Sequence, residues 1–559
     1  MVYGSAMWGR IASGALVVVL GACSPARTSD WRDARDDGAA GGGGGRGCDA
    51  ASCEPICQPG TGSCQGAVSH ACLPDGSGWE DVECDPIQGM HCGDSGLCEG
   101  ACAPATLGRS YIGCDYYPTV TGNMVGGEYR FAVAVANTTD RPANILIDGG
   151  ALAAPRALAL AAHSVTVEYL PWRTDLKLCA GQRYVDCLMP TFTSLIASGG
   201  AYHLRSDVPV TVYQFNPLDY DLPEASSRSY SNDASLLYPT TAWGRRYLVA
   251  TWERRSSSPG LFAVTARRSD TLVTVTPHVA TEGPSGLPPF AAGVPQTILL
   301  QQGDVVELGT ALAEATGDLT GSLVEADAPV QVIGAHYCAD VPVGVHYCDH
   351  LEESMIPIAS LGTRYLVSAP AVPSLPNGKE EVVRIIATEP ATQLAYDPPQ
   401  PGAPTSIAAA GEVAEISRTP ASFLVTASHK VMVVQYMEGS AASGGGTGDP
   451  AMTLAVPIDQ FRSEYLFHAP VNYETSYVDI TAAAGTEVTL DGDAVTGWGD
   501  IGSTGYRLAR VARLGRGPGR DGNHVVTGTG PFGITVYGYG QDTSYWYPGG
   551  LDLVELPLE

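Results

Sequence analysis

The chain has 559 residues, which is too long for one hydrophobic core and predicts several domains. Hydrophobic residues make up 44% of it and charged residues 16%, a balance that excludes a wholly disordered chain, while 67 glycines, 40 prolines and 26 tyrosines favour short strands joined by turns. The net charge of −28 argues against nucleic acid as a partner, and 15 cysteines indicate an oxidising compartment.

The N-terminus predicts export and a lipid anchor. Arg10 precedes an apolar run over residues 11–20, which is too short to cross a bilayer of ~30 Å and is typical of a signal peptide. The run ends in Leu20-Gly21-Ala22-Cys23, which resembles a bacterial lipobox in which Cys23 becomes the lipid-modified first residue. With Ser24 next, the resemblance implies a signal peptide over residues 1–22 and an outer-membrane lipoprotein of the bacterial cell envelope, exposed at the surface and attached only through its lipid. The alternative is an ordinary signal peptide that is cleaved nearby.

Two segments of unusual composition come next. Residues 23–47 are polar and Gly-rich and cannot bury a core, so we expect a flexible tether. Residues 48–108 are dense in cysteine and poor in aliphatic residues, which predicts a stalk held together by disulfides. Nine cysteines leave one over, and Cys114 is the expected tenth partner, which would clamp the stalk to the next domain. The candidates for these bridges are Cys48, Cys53, Cys57, Cys64, Cys72, Cys84, Cys92, Cys98, Cys102 and Cys114.

Two short phrases recur along the rest of the chain. The first is Pro239-Thr-Thr-Ala-Trp-Gly-Arg-Arg-Tyr247, and the second is Pro329-Val-Gln-Val-Ile333. Counterparts of the first begin at Pro357 and Pro457, and counterparts of the second begin at Pro209, Lys430 and Gly533. Because both markers keep an interval of about 100–120 residues, we predict four related units.

Each unit shows the pattern of strands. Leu272-Val-Thr-Val-Thr276 alternates with period two, and turn residues separate such runs. About seven strands in ~100 residues is the count of an immunoglobulin-like sandwich. The sequence therefore predicts an all-β protein with about four tandem β-sandwich-like repeats after the disulfide-rich stalk. A β-propeller with two blades per repeat is the alternative, because the units abut without a flexible linker. We place the repeats at residues 109–238, 239–356, 357–456 and 457–559.

Two stretches within the repeats are specific enough to suggest a family. One runs from Cys338 to Cys348 and on through Asp349-His350-Leu-Glu-Glu353, and the other is Ser544-Tyr-Trp-Tyr-Pro548. With these stretches the chain resembles the IgGFc-binding protein N-terminal domain family, whose motif would include Asp349 and His350. The resemblance implies a secreted or surface-attached, non-catalytic β-rich module, associated with antibody Fc binding in its animal members.

The region around Cys338 and Cys348 admits two readings. An oxidising compartment favours a disulfide across a hairpin loop, and Cys179 with Cys187 is a second local bridge by the same reasoning. The alternative is a zinc site that uses His336, His346 and His350. We otherwise expect no cofactor, although acidic loops such as Asp491-Gly-Asp493 leave Ca²⁺ as an alternative.

The leading functional hypothesis is a recognition or adhesion module that binds an extracellular protein or glycan and is not an enzyme. Repeated sandwiches on a lipidated tether would project their loops outward, and the sequence offers no competing catalytic motif. One alternative is a secreted metal-dependent hydrolase built on Asp349 and His350. The other is an envelope spacer that binds no ligand.

Overall fold

The computed structural model describes residues 55–73, 76–188, 194–225, 227–284, 286–372, 379–442, 447–512, 514 and 522–557. The predicted signal peptide and tether lie outside the described residues, as do Cys23, Cys48 and Cys53. None of the helices in the described ranges is long and apolar enough to span a membrane.

The described residues form mainly strands, which belong to the Cys-rich segment and to the four repeats. The Cys-rich segment contains β1 (Gly62–Gln65), β2 (Val68–Cys72), β3 (Trp79–Glu83), β4 (His91–Cys92) and β5 (Cys98–Glu99). The first repeat contains β6 (Gly113–Tyr116), β7 (Phe131–Asn137), β8 (Ala143–Gly149), β9 (Arg156–Leu160), β10 (Val165–Leu170), β11 (Leu195–Ala197), β12 (Tyr202–Phe215) and β13 (Ala234–Leu237). The second contains β14 (Gly244–Leu248), β15 (Gly260–Ala266), β16 (Thr271–Thr276), β17 (Gln296–Leu300), β18 (Val305–Gly309), β19 (Leu323–Ala339) and β20 (Asp349–Ser354).

The last two repeats follow the same plan. The third contains β21 (Gly362–Val367), β22 (Glu381–Ala387), β23 (Thr392–Asp397), β24 (Ser406–Ile407), β25 (Val413–Thr419), β26 (Phe423–Met437) and β27 (Met452–Leu454). The fourth contains β28 (Arg462–His468), β29 (Thr475–Ala483), β30 (Val488–Leu490), β31 (Asp493–Ala494), β32 (Gly499–Asp500), β33 (Tyr506–Ala512), β34 (Asn523–Gly540) and β35 (Thr543–Pro548). The described helices are α1 (Pro104–Leu107), α2 (Thr174–Lys177) and the 3₁₀ turns Pro86–Gln88, Tyr184–Cys187, Thr240–Ala242, Ile358–Ser360 and Ile458–Gln460.

One long strand organises each repeat: β12, β19, β26 or β34. In the first repeat the early half of β12 pairs with β6 and β8, and its late half pairs with β7 and β13. The other repeats pair their strands in the same way. The long strand thus passes through both layers of a sandwich, which confirms the predicted all-β class and the sandwich-like repeats. The short strand β11 lies in the first repeat of the sequence but joins the sheet of the second by pairing with β18.

The two recurring phrases meet where each long strand changes layer. The pairing of β14 with β19 breaks between Glu325 and Val330, on either side of Pro329, which has no N–H for the ladder. There Tyr247 donates its hydroxyl hydrogen to the Val330 carbonyl at 2.7 Å and accepts the Gly244 N–H at the same distance. The corresponding tyrosines are Tyr116, Tyr365 and Tyr465, which donate to the carbonyls of Val210, Val431 and Phe532.

The four repeats close into a ring around their last strands. β13 contacts β20 and β35, and β27 contacts the same two strands. The ring is closed where the tail meets the first repeat, since the Tyr111 N–H donates to the Leu551 carbonyl at 3.0 Å and the Leu553 N–H donates to that of Arg109 at 2.9 Å. The units therefore surround a common axis as propeller blades do, but each unit is a complete two-layer sandwich.

Successive repeats pack together where a glycine of one repeat contacts a proline of the next repeat. The entry turns Thr240–Ala242, Ile358–Ser360 and Ile458–Gln460 each contact the first strand of the preceding repeat. At these contacts there is no room for a side chain on the glycine: a Cβ on Gly113, Gly244 or Gly362 would lie 2.3, 2.6 or 2.9 Å from the Cβ of Pro239, Pro357 or Pro457.

The Cys-rich segment packs against the ring. Its bridges join Cys57 to Cys72, Cys64 to Cys92, Cys84 to Cys98 and Cys102 to Cys114, the last of which reaches β6. Two ion pairs add to this link, because Arg205 on β12 contacts Asp85 at 3.2 Å and Arg267 contacts Glu80 at 3.4 Å. These contacts hold the segment against the first two repeats. The segment therefore does not project from the ring as a free stalk.

Candidate functional site

A buried carboxylate on the ring axis accepts hydrogen bonds from all four repeats. Asp233 lies just before β13, and its Oδ1 accepts the N–H groups of Ala234 at 2.9 Å and of Trp546 at 3.1 Å. Its Oδ2 accepts those of Glu352 at 3.1 Å and of Met452 at 3.0 Å. Burial raises the pKa of the Asp233 carboxyl well above its ordinary value, whereas the backbone donors stabilise its ionised form. One side chain thus ties β13, β20, β27 and β35 together.

The predicted family motif, Asp349 with His350, lies beside this carboxylate on β20. Asp349 is fully buried, and its Oδ1 accepts the N–H groups of Asn232 and His350, both at 2.7 Å. Its Oδ2 accepts the Thr543 hydroxyl hydrogen at 3.2 Å, so Asp349 connects repeats one, two and four. Burial, reinforced by Asp449 and Asp233, raises the pKa of Asp349 well above its ordinary value.

His350 is equally enclosed. Its Nδ1 lies 3.0 Å from the His336 carbonyl and donates to it, so Nε2 is the acceptor for the Asn216 amide at 3.1 Å. The neighbouring Glu352 accepts the Thr121 hydroxyl hydrogen at 2.9 Å and the Gln214 amide at 3.1 Å. All of these side chains are buried and bonded to one another, so the motif serves the interior of the ring and offers Asp349 and His350 no contact with a substrate.

The structure does not bring all three histidines of the zinc alternative together. His336 donates from Nε2 to the Glu253 carbonyl at 3.1 Å, its Nδ1 accepts the Cys338 N–H at 3.0 Å, and burial lowers its pKa to about 3. His346 is exposed, and Cys338 is bonded to Cys348. Within the described ranges no three histidine, cysteine or acidic side chains are grouped as metal ligands.

Two disulfides lie together where the first two repeats meet. Cys179 is bonded to Cys187, and that bridge shares an apolar cluster with the Cys338–Cys348 bridge. The Tyr337 hydroxyl donates to the Cys187 carbonyl at 2.9 Å, which joins β19 to the first repeat. Both bridges therefore stabilise the contact between these repeats.

The loop considered for Ca²⁺ is hydrogen-bonded to the neighbouring strand β34. Asp491 accepts the Val525 N–H at 3.0 Å and the ring N–H of His524 at 2.8 Å, while Asp493 is exposed on β31. These bonds hold the loop against β34.

Sequence reasoning missed a cleft of about 1000 Å³ between the Cys-rich segment and the ring. One wall is a face of the β1–β3 sheet, and the opposite wall is built from the entry phrases of the second and third repeats together with the tail. We call it the module cleft and define it by the lining residues Pro59, Ser69, Ala71, Leu73, Glu80, Val82, Leu97, Arg109, Trp243, Arg245, Arg246, Arg267, Pro329, Pro357, Ile358, Lys430, Glu555 and Leu556. The doubled arginine after Trp243 was its only sequence signal.

The module cleft is cationic on an acidic chain. Five of its lining side chains carry positive charge, against Glu80 and Glu555. Four of the five bind neighbouring protein groups: Arg267 pairs with Glu80, Arg246 pairs with Glu325, Arg109 lies 3.5 Å from Glu555, and Lys430 donates to two backbone carbonyls. Arg245 is exposed and makes no ion pair or hydrogen bond with the described residues, so its guanidinium is available to a ligand.

The chain is similar to known proteins of one family. The family model described as IgGFc binding protein matches residues 233–538, more than half of the chain. The chain belongs to this family. The human IgGFc-binding protein is 26% identical over 322 residues, which cover 56% of this chain but 6% of the human protein. No solved structure matches the chain. The family is named for a binding protein.

Proposed function

We propose that the protein is a recognition module that binds an extracellular protein or glycan while it is held at the outer surface of a bacterial cell by a lipid on Cys23. The observation that carries the proposal is the family match over residues 233–538. Because Asp349 and His350 are buried and hydrogen-bonded inside the ring, we expect a ligand to bind at the exposed loops or in the module cleft.

The lipid anchor rests on the sequence Leu20-Gly21-Ala22-Cys23. Each buried methylene contributes about 0.8 kcal/mol, so more than one acyl chain holds a protein stably at a membrane. We expect metabolic labelling with a radioactive fatty acid to mark the wild-type chain but not Cys23→Ser, which should leave the membrane fraction. Labelling of the variant, or its retention in the membrane, would refute the anchor at this residue.

Binding is tested with the full chain against panels of glycans and extracellular proteins that include the Fc fragment of human IgG. The Fc fragment is included because the human relative is named for it. Saturable retention of one protein or glycan, together with reduced cell attachment after deletion of the gene, is the expected result. Failure to retain any panel member, with attachment unchanged, would leave the envelope spacer as the better account.

A further inference from the structure

We infer that the module cleft binds an extended, acidic and apolar peptide segment of a partner protein. This inference rests on the proposed function and names the partner chemistry for one site. Its volume, about 1000 Å³, is at the upper end of the range for ligand sites and is large enough for several residues of extended chain.

The apolar part of the cleft comes from both walls. Ala71 and Val82 project from neighbouring strands of the Cys-rich sheet, and Leu73 continues the same wall. Across the cleft lie Pro357 and Ile358, at the entry to the third repeat. An extended segment between these walls would bury alternate apolar side chains against each of them, which is how such segments gain affinity.

The positive charge of the cleft favours a negatively charged ligand. Arg245 and Arg246 follow Trp243, and Arg246 is exposed with one ion pair, to Glu325 at 3.0 Å. With Arg267 deeper in the cleft, cations outnumber carboxylates along the lining. The chain has a net charge of −28, so this local excess of positive charge is a distinct feature of its surface. It attracts a segment that carries carboxylates and repels a segment that carries positive charge.

The cleft also depends on the attachment of the Cys-rich segment. The Cys102–Cys114 bridge and the contact of Glu80 with Arg267 hold its two walls in place. A ligand therefore meets a preformed site and loses little free energy in ordering it.

The experiment measures fluorescence anisotropy of four labelled octapeptides with the full chain. The probes alternate Leu with Glu, Leu with Gln, Leu with Lys, and Ser with Glu. We expect the Leu–Glu peptide to bind about 10-fold more tightly than the Leu–Gln and Ser–Glu peptides, and its affinity to fall as salt is raised. Equal binding of the Leu–Lys or Ser–Glu peptide, or no binding of any probe, would overturn the inference.

Two variants test the location. Arg245→Glu reverses an exposed charge of the cleft, and Ala71→Trp fills the cleft without changing its charge. Both substitutions should lower the affinity for the Leu–Glu peptide about 10-fold or more. The control is Arg364→Glu, because Arg364 is the counterpart of Arg246 in the third repeat and does not line the cleft. Wild-type affinity in either cleft variant, or an equal loss in the control, would exclude the cleft.

Circular dichroism and a thiol assay check that each variant is folded with its disulfides intact. If the peptides fail while the protein and glycan panels yield a ligand whose binding is unchanged by Ala71→Trp, the cleft inference is wrong and the proposed function stands. If the panels yield nothing and deletion of the gene leaves cell attachment unchanged, the proposed function itself fails.

Discussion

Asp233→Asn tests whether one carboxylate holds the ring together. Two backbone N–H groups point at each of the Asp233 oxygens, at distances of 2.9 to 3.1 Å, and the side chain is fully buried. Asparagine keeps the shape but has one acceptor oxygen, so two of the four N–H groups would face an amide NH₂. A buried donor left without an acceptor costs about 1–3 kcal/mol, so the loss should be roughly 2–6 kcal/mol.

The assay is urea unfolding of the full chain with its disulfides intact, followed by tryptophan fluorescence. The control is Asp327→Asn, because the exposed Asp327 accepts a single hydrogen bond, from the Leu272 N–H at 2.9 Å, and its loss should cost less than about 1 kcal/mol. If Asp233→Asn costs no more than this control, the four-way hydrogen bonding does not stabilise the ring and the reasoning is refuted.

Three further predictions follow from buried polar groups. Tyr365→Phe should destabilise the third repeat by about 1–3 kcal/mol in the same assay, because it removes the donor to the Val431 carbonyl, and no loss would contradict this. Burial raises the pKa of Asp449 to about 7, above its unfolded value, so its stabilisation is complete below pH ~4 and is lost as pH rises towards 7. Asp449 alone should lower the free energy of unfolding by up to about 1.4 kcal/mol per pH unit in that window, so the slope should be shallower in Asp449→Asn, and identical slopes would exclude this carboxyl as a contributor. Lys177 and Lys379 are buried outside the cleft and donate to backbone carbonyls, so mass spectrometry should show them acylated by an amine reagent in urea but not in the native protein, and their acylation in the native protein would contradict this.

The repeats could be predicted from the sequence because the two recurring phrases contact each other in the structure. Tyr247 ends the first phrase and bonds to Val330 of the second, so the residues that recur together are also in contact. In the fourth repeat the bonded residue is Phe532, while the sequence match began at Gly533 and paired Ile534 with Val330. The match was two residues out, and a shift of two leaves every side chain on the same face of a strand. Alternation of apolar residues alone therefore could not detect the error.

The functional residues were harder to predict than the fold. The sequence left Asp349 and His350 open as a hydrolase site, but β20 lies at the ring axis, where buried polar groups must satisfy one another. Local sequence cannot show that an edge strand of one sandwich becomes the interior of an assembly of four. The module cleft was missed for the same reason, because its walls come from segments far apart in the chain.

Closure of the ring explains where the fourth repeat departs from the others. In the first three repeats the residue that pairs across the bend is Gly113, Gly244 or Gly362, and the proline of the following repeat takes the space of a side chain. The fourth repeat has Arg462 at this position, with the tail as its next neighbour in place of a fifth repeat. There Arg462 forms an ion pair with Asp552, and the Asp552 N–H donates to the Gln460 carbonyl at 2.9 Å. The residue that breaks the repeat pattern is therefore the one that meets the end of the ring, and the substitution marks the fourth unit as the last.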